Sequence, residues 1–466
     1  MTPAPVTVAP GTPSVRVGSE RVQRIDGFGA SGAWWPNDLV RFPKEVQDEV
    51  AQMLFGTEGI ALSGYRYNIG GGGKGVTDPA RAPKQFPEDD AGRIFLQAAA
   101  AQKVPLLTGF VNSAPPQFTT NGKTCGGQLK PGQEAAFASY LVEIVQELHD
   151  EDITLNYVSP MNEPADSFGD CGQEGMQVPV EQRAPLVNAL AAALEKDAPY
   201  AKVIADETTA DLILASEAPE WLPEAADNIA AIAHHTYDLP TNAIRKVVPP
   251  LAKEYGKPTW MTEVCCYKGS GEGAAGMGAQ YDPTMKQGFW LANQIRDDLT
   301  VAGDSAWYWW TALSPKLGCA PDADACAKSI NTEGFNDGLL YYDDRYPDAG
   351  VDTIFTTKRY SVMGQFSRYV RPGSFRHDVA GTKLPVMVFD DFVGAQWTVV
   401  TWNESDKDQS FVLHGLPENV TASGAVQTNA EDDLAKGALP GRTKDGTWIV
   451  TVPAGTIATF TFIPRA

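Results

Sequence analysis

The sequence predicts an α/β protein, a (β/α)8 TIM barrel carrying a β-sandwich side domain. Three observations predict it. Eight short apolar segments alternate with longer amphipathic stretches, two glutamates close the fourth and seventh of those segments, and beyond residue 371 only β-rich runs follow.

Taken in order, Val6 to Arg24 holds short β-branched runs broken by Pro and Gly and reads as one or two strands. The alternation then begins, with strands expected at Ile25–Ala30, Leu62–Asn68, Val104–Val111, Leu155–Met161, Lys202–Ala205, Ile229–His235, Thr259–Thr262 and Ser305–Trp310. Helices are expected between them at Lys44–Leu54, Asp90–Gln102, Gln133–His149, Glu181–Glu195, Ala243–Tyr255 and Pro283–Leu299, the last with Pro283 suited to a helical first turn. Strands that alternate with helices pair in parallel, and eight of them suggest a closed barrel. After Arg371-Pro372-Gly373, the runs Pro385–Asp390, Gln396–Trp402, Ser410–His414, Trp448–Val452 and Ile457–Ile463 read as an antiparallel sandwich. The expected division is 1–24 as strands joining the side domain, 25–370 as the catalytic barrel and 371–466 as the side domain.

A chain of 466 residues exceeds one ordinary core, and an apolar content of 43% with 20% charged residues suits a folded globular protein. Acidic residues outnumber basic ones 58 to 37, a net charge of −21 that repels phosphate backbones and anionic lipid while tolerating a neutral substrate. No nucleic-acid or membrane partner is expected, and no apolar run approaches the ~20 residues of a membrane span. The start, Met1-Thr-Pro-Ala-Pro, has neither a basic nor an apolar signal region, as in a cytosolic protein or a mature form whose signal is gone. The cysteines Cys125, Cys171, Cys265, Cys266, Cys319 and Cys326 favour disulfides and export. Cys319 with Cys326 could close a short loop and Cys125 with Cys171 could tie two longer ones, although six cysteines allow about 15 full pairings. None lies in a CxxC motif, and with five histidines no metal site is expected.

Catalytic groups of a (β/α)8 barrel sit at the C-terminal ends of its strands. Strand four ends in Asn162-Glu163-Pro164 and strand seven in Thr262-Glu263, so both carboxylates face one mouth. Cleavage of an acetal needs such a pair, one carboxyl to protonate the leaving oxygen and one ionised to attack or stabilise the anomeric carbon. Singly each glutamate is an ordinary polar strand end; together they point to chemistry. Arg66, on strand two, is suited to hold the nucleophile ionised, and Asn162 to bond a sugar hydroxyl. His235 and Tyr237 are two apart at the end of strand six and share a face. Trp34 and Trp35 after strand one and Trp307 to Trp310 along strand eight offer flat surfaces for sugar rings; Trp35 and Trp310 are the candidates carried forward. Gly27-Phe28-Gly29-Ala30-Ser31-Gly32 matches GxGxxG, but Ala33-Trp34-Trp35-Pro36 does not open a phosphate-binding helix. Gly70 to Gly73 is followed by Lys74-Gly75 and lacks the upstream glycine of a phosphate loop, so close approach of backbone to a ligand is the better account.

These motifs, in this order, resemble glycoside hydrolase family 30. The resemblance runs from Gly27-Phe28-Gly29 through Asn162-Glu163-Pro164, His235-Thr236-Tyr237 and Thr262-Glu263 to Gly364-Gln365-Phe366 and Arg371-Pro372-Gly373, where a helix leads into the side domain. It implies Glu163 as acid/base, Glu263 as nucleophile, Arg66 and Tyr237 on the nucleophile's carboxylate, and Trp310 as floor of the sugar site. Members act on β-glucosylceramide, glucuronoxylan, β-1,6-glucan or β-1,6-galactan. Asn112 stands where the glucosylceramidase-like group has a tryptophan, and Gly70–Gly73 replaces a segment in which that group carries a sugar-binding aspartate. The run from Leu62 to Gly73, followed by Asp78-Pro79-Ala80-Arg81, most resembles the endo-β-1,6-galactanase branch, where a small polar Asn112 could reach an axial hydroxyl.

The expectation is therefore a secreted, monomeric, retaining enzyme on β-1,6-galactan side chains, with a polysaccharide or oligosaccharide as its partner and no cofactor. The alternatives are a β-1,6-glucanase or glucuronoxylan xylanase on the same scaffold, a non-catalytic carbohydrate-binding barrel, and a nicotinamide oxidoreductase resting on Gly27–Gly32 alone.

Overall fold

The computed structural model describes residues 5–238, 241–266, 280–322, 325–381 and 383–465. Eight parallel strands close a barrel: β1 (Gly27–Ser31), β2 (Gly64–Asn68), β3 (Leu106–Phe110), β4 (Tyr157–Ser159), β5 (Lys202–Thr208), β6 (Ile229–His235), β7 (Thr259–Glu263) and β8 (Ala306–Trp309), with β8 paired to β1. All eight lie on segments read as strands, because a parallel strand buried on both faces is a near-continuous apolar run. The barrel interior is filled by alternate side chains, among them Leu106, Ile204, Ala231, Ala233 and Tyr308. Tyr308 also explains two glycines. A Cβ at Gly29 would stand 2.2 Å from its ring, and one at Gly64 2.2 Å from its hydroxyl, so Gly29 of the GxGxxG pattern makes room for barrel packing.

The helices form because each presents an apolar stripe to this barrel. Glu134–Asp150 buries Phe137, Leu141, Val142, Val145 and Leu148, a helical spacing along one face. Two expected helices differ in detail. Ala243–Tyr255 is two short pieces, Asn242–Arg245 and Val248–Tyr255, because Pro249 and Pro250 suit a first turn and so restart the helix. Pro283 lies just outside its helix; the Thr284 hydroxyl caps Met285–Asp297, and Asp298–Ala302 continues it as a π turn. The helix Asp211–Ala225 was not expected from sequence, since it carries Pro219 and Pro223 internally.

The side domain is a ten-stranded sheet that folds over on itself. Trp448 and Phe462 sit on strands far apart in its order, yet their rings meet at 5.1 Å, and Val388, Val399, Phe411, Leu413 and Phe460 fill the space between the layers. The N-terminal strand Ser14–Arg24 belongs to this sheet, antiparallel to Phe375–Ala380 and parallel to Gln409–His414. Ile25 then leads straight into β1, and the side domain packs on the helix Lys358–Ser367, where the Gln365 side chain bonds the Thr428 and Thr459 hydroxyls. Three disulfides are present, Cys125–Cys171, Cys319–Cys326 and the adjacent pair Cys265–Cys266. Among the described residues no helix is long and apolar enough to cross a membrane.

Candidate active site

Beyond Ser159 at the end of β4, the chain turns through Pro160-Met161-Asn162 to Glu163. Glu163 adopts a left-handed φ of 48°, and its N–H donates to the Glu207 carbonyl at 2.9 Å. Glu207, near the end of the neighbouring β5, is also left-handed at φ 59°. Two strained, bulky residues bonded across adjacent strand ends mark a place where the fold holds side chains against their local preference. Glu263 is the last residue of β7 and is 5% exposed. Oxygen atoms of Glu163 and Glu263, with a ring nitrogen of His235, all lie within 4.8 Å of one another.

Arg66 organises one side. By strand alternation it points into the barrel, where Nη1 donates to Glu263 Oε2 at 2.8 Å and Ser31 Oγ at 2.9 Å, and Nη2 to Asn162 Oδ1 and Glu207 Oε2, each at 3.2 Å. The guanidinium lies over the Phe110 ring at 4.1 Å. Tyr237 completes the hold on Glu263, its hydroxyl donating to Oε1 at 2.9 Å. His235 bridges the other side. Nδ1 lies 3.0 Å from Glu163 Oε1 and Nε2 3.0 Å from Glu207 Oε2. Thr262 Oγ1 also donates to Glu207.

The electrostatics follow from this packing. Burial works against a charged imidazole, but the carboxylates of Glu263, Glu163 and Glu207 outweigh it and push His235 up to about 9, so both ring nitrogens donate at neutral pH. Burial likewise opposes ionisation of Glu207, yet Arg66 and His235 bring it down to about 2. Burial raises Glu263 above the ordinary carboxylate range, while His235 and Arg66 pull it back and Glu163 adds to the rise. The result is a basic carboxylate kept ionised by two cations and a phenol. Glu163, His235 and Glu263 also have the residue types of a metal site, but both ring nitrogens and both Glu263 oxygens are already engaged by protein groups.

The structure brings together Glu163, Glu263, Arg66, Asn162, His235 and Tyr237. Asn112 follows the end of β3 and is 3% exposed, its amide donating weakly to Asn68 Oδ1, at the end of β2, at 3.4 Å. Trp310 follows β8, and its backbone N–H donates to the carbonyl of Val264, next to Glu263, at 2.9 Å. Trp35 does not join them. It is 2% exposed, packs against Phe95 at 4.4 Å and donates to the Ser31 carbonyl, a core role. Trp34, at a left-handed φ of 69°, turns the other way and meets Trp310 edge-on at 5.0 Å. Glu207 was missed because strand five was read as ending at Ala205. The strand-end rule would have found it had the strand been extended through Asp206-Glu207-Thr208.

With that geometry in view, the chain can be compared with known proteins. The model of O-glycosyl hydrolase family 30 matches residues 13–236. That stretch is 224 of the 466 residues, so the chain is similar to glycoside hydrolase family 30 over just under half of its length. Among curated relatives, this chain is 23% identical over 219 residues to an exo-beta-1,6-galactobiohydrolase of Bifidobacterium longum subsp. longum, a match spanning 31% of this chain and 14% of that protein. It is 23% identical over 352 residues to the glucuronoxylanase XynC of Bacillus subtilis, spanning 74% of this chain and 69% of the relative. Among solved structures, a conserved exported protein of Bacteroides fragilis superposes with a TM-score of 0.80 at 22% identity, over 96% of this chain and 100% of that one. The catalytic domain of GH30 xylanase C from Talaromyces cellulolyticus superposes with a TM-score of 0.74 at 20% identity, over 96% of this chain and 99% of that one, so the fold is shared with that protein.

Proposed function

We propose that the protein is a retaining glycoside hydrolase that cleaves β-1,6-galactan side chains of arabinogalactan, with Glu163 as acid/base and Glu263 as nucleophile. The observation that carries the mechanism is the 4.8 Å limit on the separation of their oxygens. Retaining enzymes hold their carboxyls about 5–5.5 Å apart, and inverting ones about 6.5–9.5 Å to admit a water. In the first step Glu163 gives its proton to the glycosidic oxygen as Glu263 attacks the anomeric carbon, forming a glycosyl ester and releasing the leaving sugar. In the second, Glu163 takes a proton from water, which displaces Glu263.

Arg66 and Tyr237 hold Glu263 ionised and aimed, and His235 orients Glu163 by bonding one of its oxygens while the other faces the leaving group. Asn162 bonds the hydroxyl next to the reacting carbon, and Trp310 receives the ring face. Asn112 reaches an axial hydroxyl that an indole would block. That placement, the glycine run and the galactobiohydrolase relative support galactan; the glucuronoxylanase relative keeps xylan as the second reading. The three disulfides support export. A monomer with the division 1–24, 25–370 and 371–466 completes the reading.

The test is product analysis on de-arabinosylated arabinogalactan, β-1,6-glucan, glucuronoxylan and an aryl β-glucoside, with wild type and Glu163→Gln. Short β-1,6-galactooligosaccharides from the first alone, lost in the variant, support both assignments. Activity confined to glucan or xylan retains the two glutamates and overturns the role given to Asn112. No turnover of any of them favours a binding barrel.

A further inference from the structure

Two features lie outside the mechanism above: the glycine run after β2, and a carboxylate sealed beneath it. Glu174, in the loop after β4, is 0% exposed. Its oxygens accept from the backbone N–H groups of Gly71 at 3.0 Å and Gly73 at 2.7 Å. Burial pushes this carboxyl up to about 7 even against the two amides and the Thr124 hydroxyl. A buried carboxylate that accepts from two amides of one short segment, and also from Thr124 in the loop after β3, acts as a clamp.

The clamp joins three loops of the mouth. The loop after β4 starts at Glu163 and is closed at its neck by the Val178 N–H on the Pro164 carbonyl at 2.9 Å. From it Cys171 crosses to Cys125 in the loop after β3, and its carbonyl accepts from Thr77 beyond the glycine run at 2.8 Å. The glycine run in turn packs on the segment carrying Arg81. Gly73 has φ +66°, and a Cβ there would stand 2.7 Å from the Ala82 Cβ. The Arg81 guanidinium lies over Trp34 at 4.8 Å, and Trp34 meets Trp310 at 5.0 Å. A continuous line of contact therefore runs from Glu174, through the glycines and Arg81, to the aromatic edge of the sugar site.

We propose that Glu174 is a positioning residue for the substrate: by clamping the glycine run it fixes the Arg81–Trp34 wall, and with it the affinity for the bound glycan. The proposal rests on the carbohydrate-site reading above. Glu174→Gln keeps the shape but sets an amide donor against a backbone donor, which breaks one of the two contacts. Gly73→Ala disturbs the same wall from the opposite side and leaves the buried carboxyl in place.

The experiment is steady-state kinetics of both variants on the glycan that the wild type cleaves, alongside thermal melting and tryptophan-fluorescence titration with its tetrasaccharide. The expected result is a KM and a dissociation constant raised about tenfold in both variants, with kcat within about twofold of wild type. A folded Glu174→Gln with unchanged KM and affinity overturns the proposal. So does a fall in kcat at constant KM, which would place its action on Glu163. If Glu174→Gln does not fold, Gly73→Ala decides on the same criteria. If the wild type cleaves none of the panel, the hydrolase reading fails separately, and titration with β-1,6-galactotetraose still decides whether Glu174 sets affinity.

Discussion

Replacing Arg66 by Met removes four hydrogen bonds, to Glu263, Ser31, Asn162 and Glu207, and leaves two buried carboxylates without their guanidinium. Glu207 keeps His235 and Thr262, whereas Glu263 keeps only the Tyr237 hydroxyl among its direct bonds described above. A hydrogen bond to a charged group contributes about 1.5–3 kcal/mol. At about 1.4 kcal/mol per pK unit, its loss raises the Glu263 carboxyl by roughly 1–2 units. The acid limb of kcat/KM then moves to higher pH by that amount, and on the acid side of the limb kcat/KM falls about 10- to 100-fold. Removing one partner of a buried ion pair also costs about 3–5 kcal/mol of stability, so melting must be followed in parallel. Arg66→Lys supplies the control: it keeps the charge and loses the fork, so kcat/KM falls while the acid limb stays near that of wild type. The assay is kcat/KM across about pH 4–8 for all three proteins, the span in which a carboxyl raised by burial titrates. A folded Arg66→Met whose acid limb superimposes on that of wild type would refute Arg66 as the group that keeps Glu263 ionised.

Further outcomes follow from the same coordinates. Glu163→Ala with an activated aryl glycoside regains turnover when azide is added, and the glycosyl azide keeps the substrate's anomeric configuration; an inverted product contradicts the retaining geometry. Asn112→Ala lowers kcat/KM on galactan about tenfold, as expected for one lost hydroxyl contact; unchanged galactan cleavage removes it as a specificity determinant. Cys125→Ser with Cys171→Ser opens a loop with a sequence separation of 46 and costs up to about 4 kcal/mol, read as an earlier urea midpoint; an unchanged midpoint contradicts a structural cross-link. For pH, His235, raised from 6.5 to about 9, stabilises fully below 6.5 and loses that contribution as pH rises through 9. Glu174, raised from 4.5 to about 7, and Asp298, raised from 3.8 to about 6, favour the fold while protonated and lose their contribution over those ranges. Glu207, lowered from 4.5 to about 2, stabilises fully above 4.5 and loses it as pH falls. The melting temperature therefore peaks at about pH 4.5 and declines toward pH 9; a flat or rising alkaline branch contradicts these assignments.

The barrel was legible because each parallel strand is a short apolar run and each helix shows its stripe. What hid was chemistry at odds with local preference. Pro219 and Pro223 concealed the helix Asp211–Ala225, which tertiary packing of Leu214, Ala218, Trp221 and Leu222 sustains. The side-domain strand Val420–Thr428 is built largely from small residues around Gly424 and carries little β signal. Within the site, the strand-end rule located Glu163 and Glu263, and Arg66 followed from alternation along β2. The choice between Trp34 and Trp35 rests on a backbone angle, φ 69° at Trp34, that residue type does not announce.

The strand Ser14–Arg24 has a bearing on how the molecule is made. Its antiparallel partner begins at Phe375, so 375 − 24 = 351 residues separate the two. At roughly 5–20 residues per second of synthesis, the first strand waits about 20–70 s for a neighbour. During that interval the whole barrel emerges beside an unpaired edge, a template for the wrong strand. Strands made only after the barrel, Phe375–Ala380 and then Gln409–His414, seal the first, and a chain that stops after the barrel carries an open edge into solution.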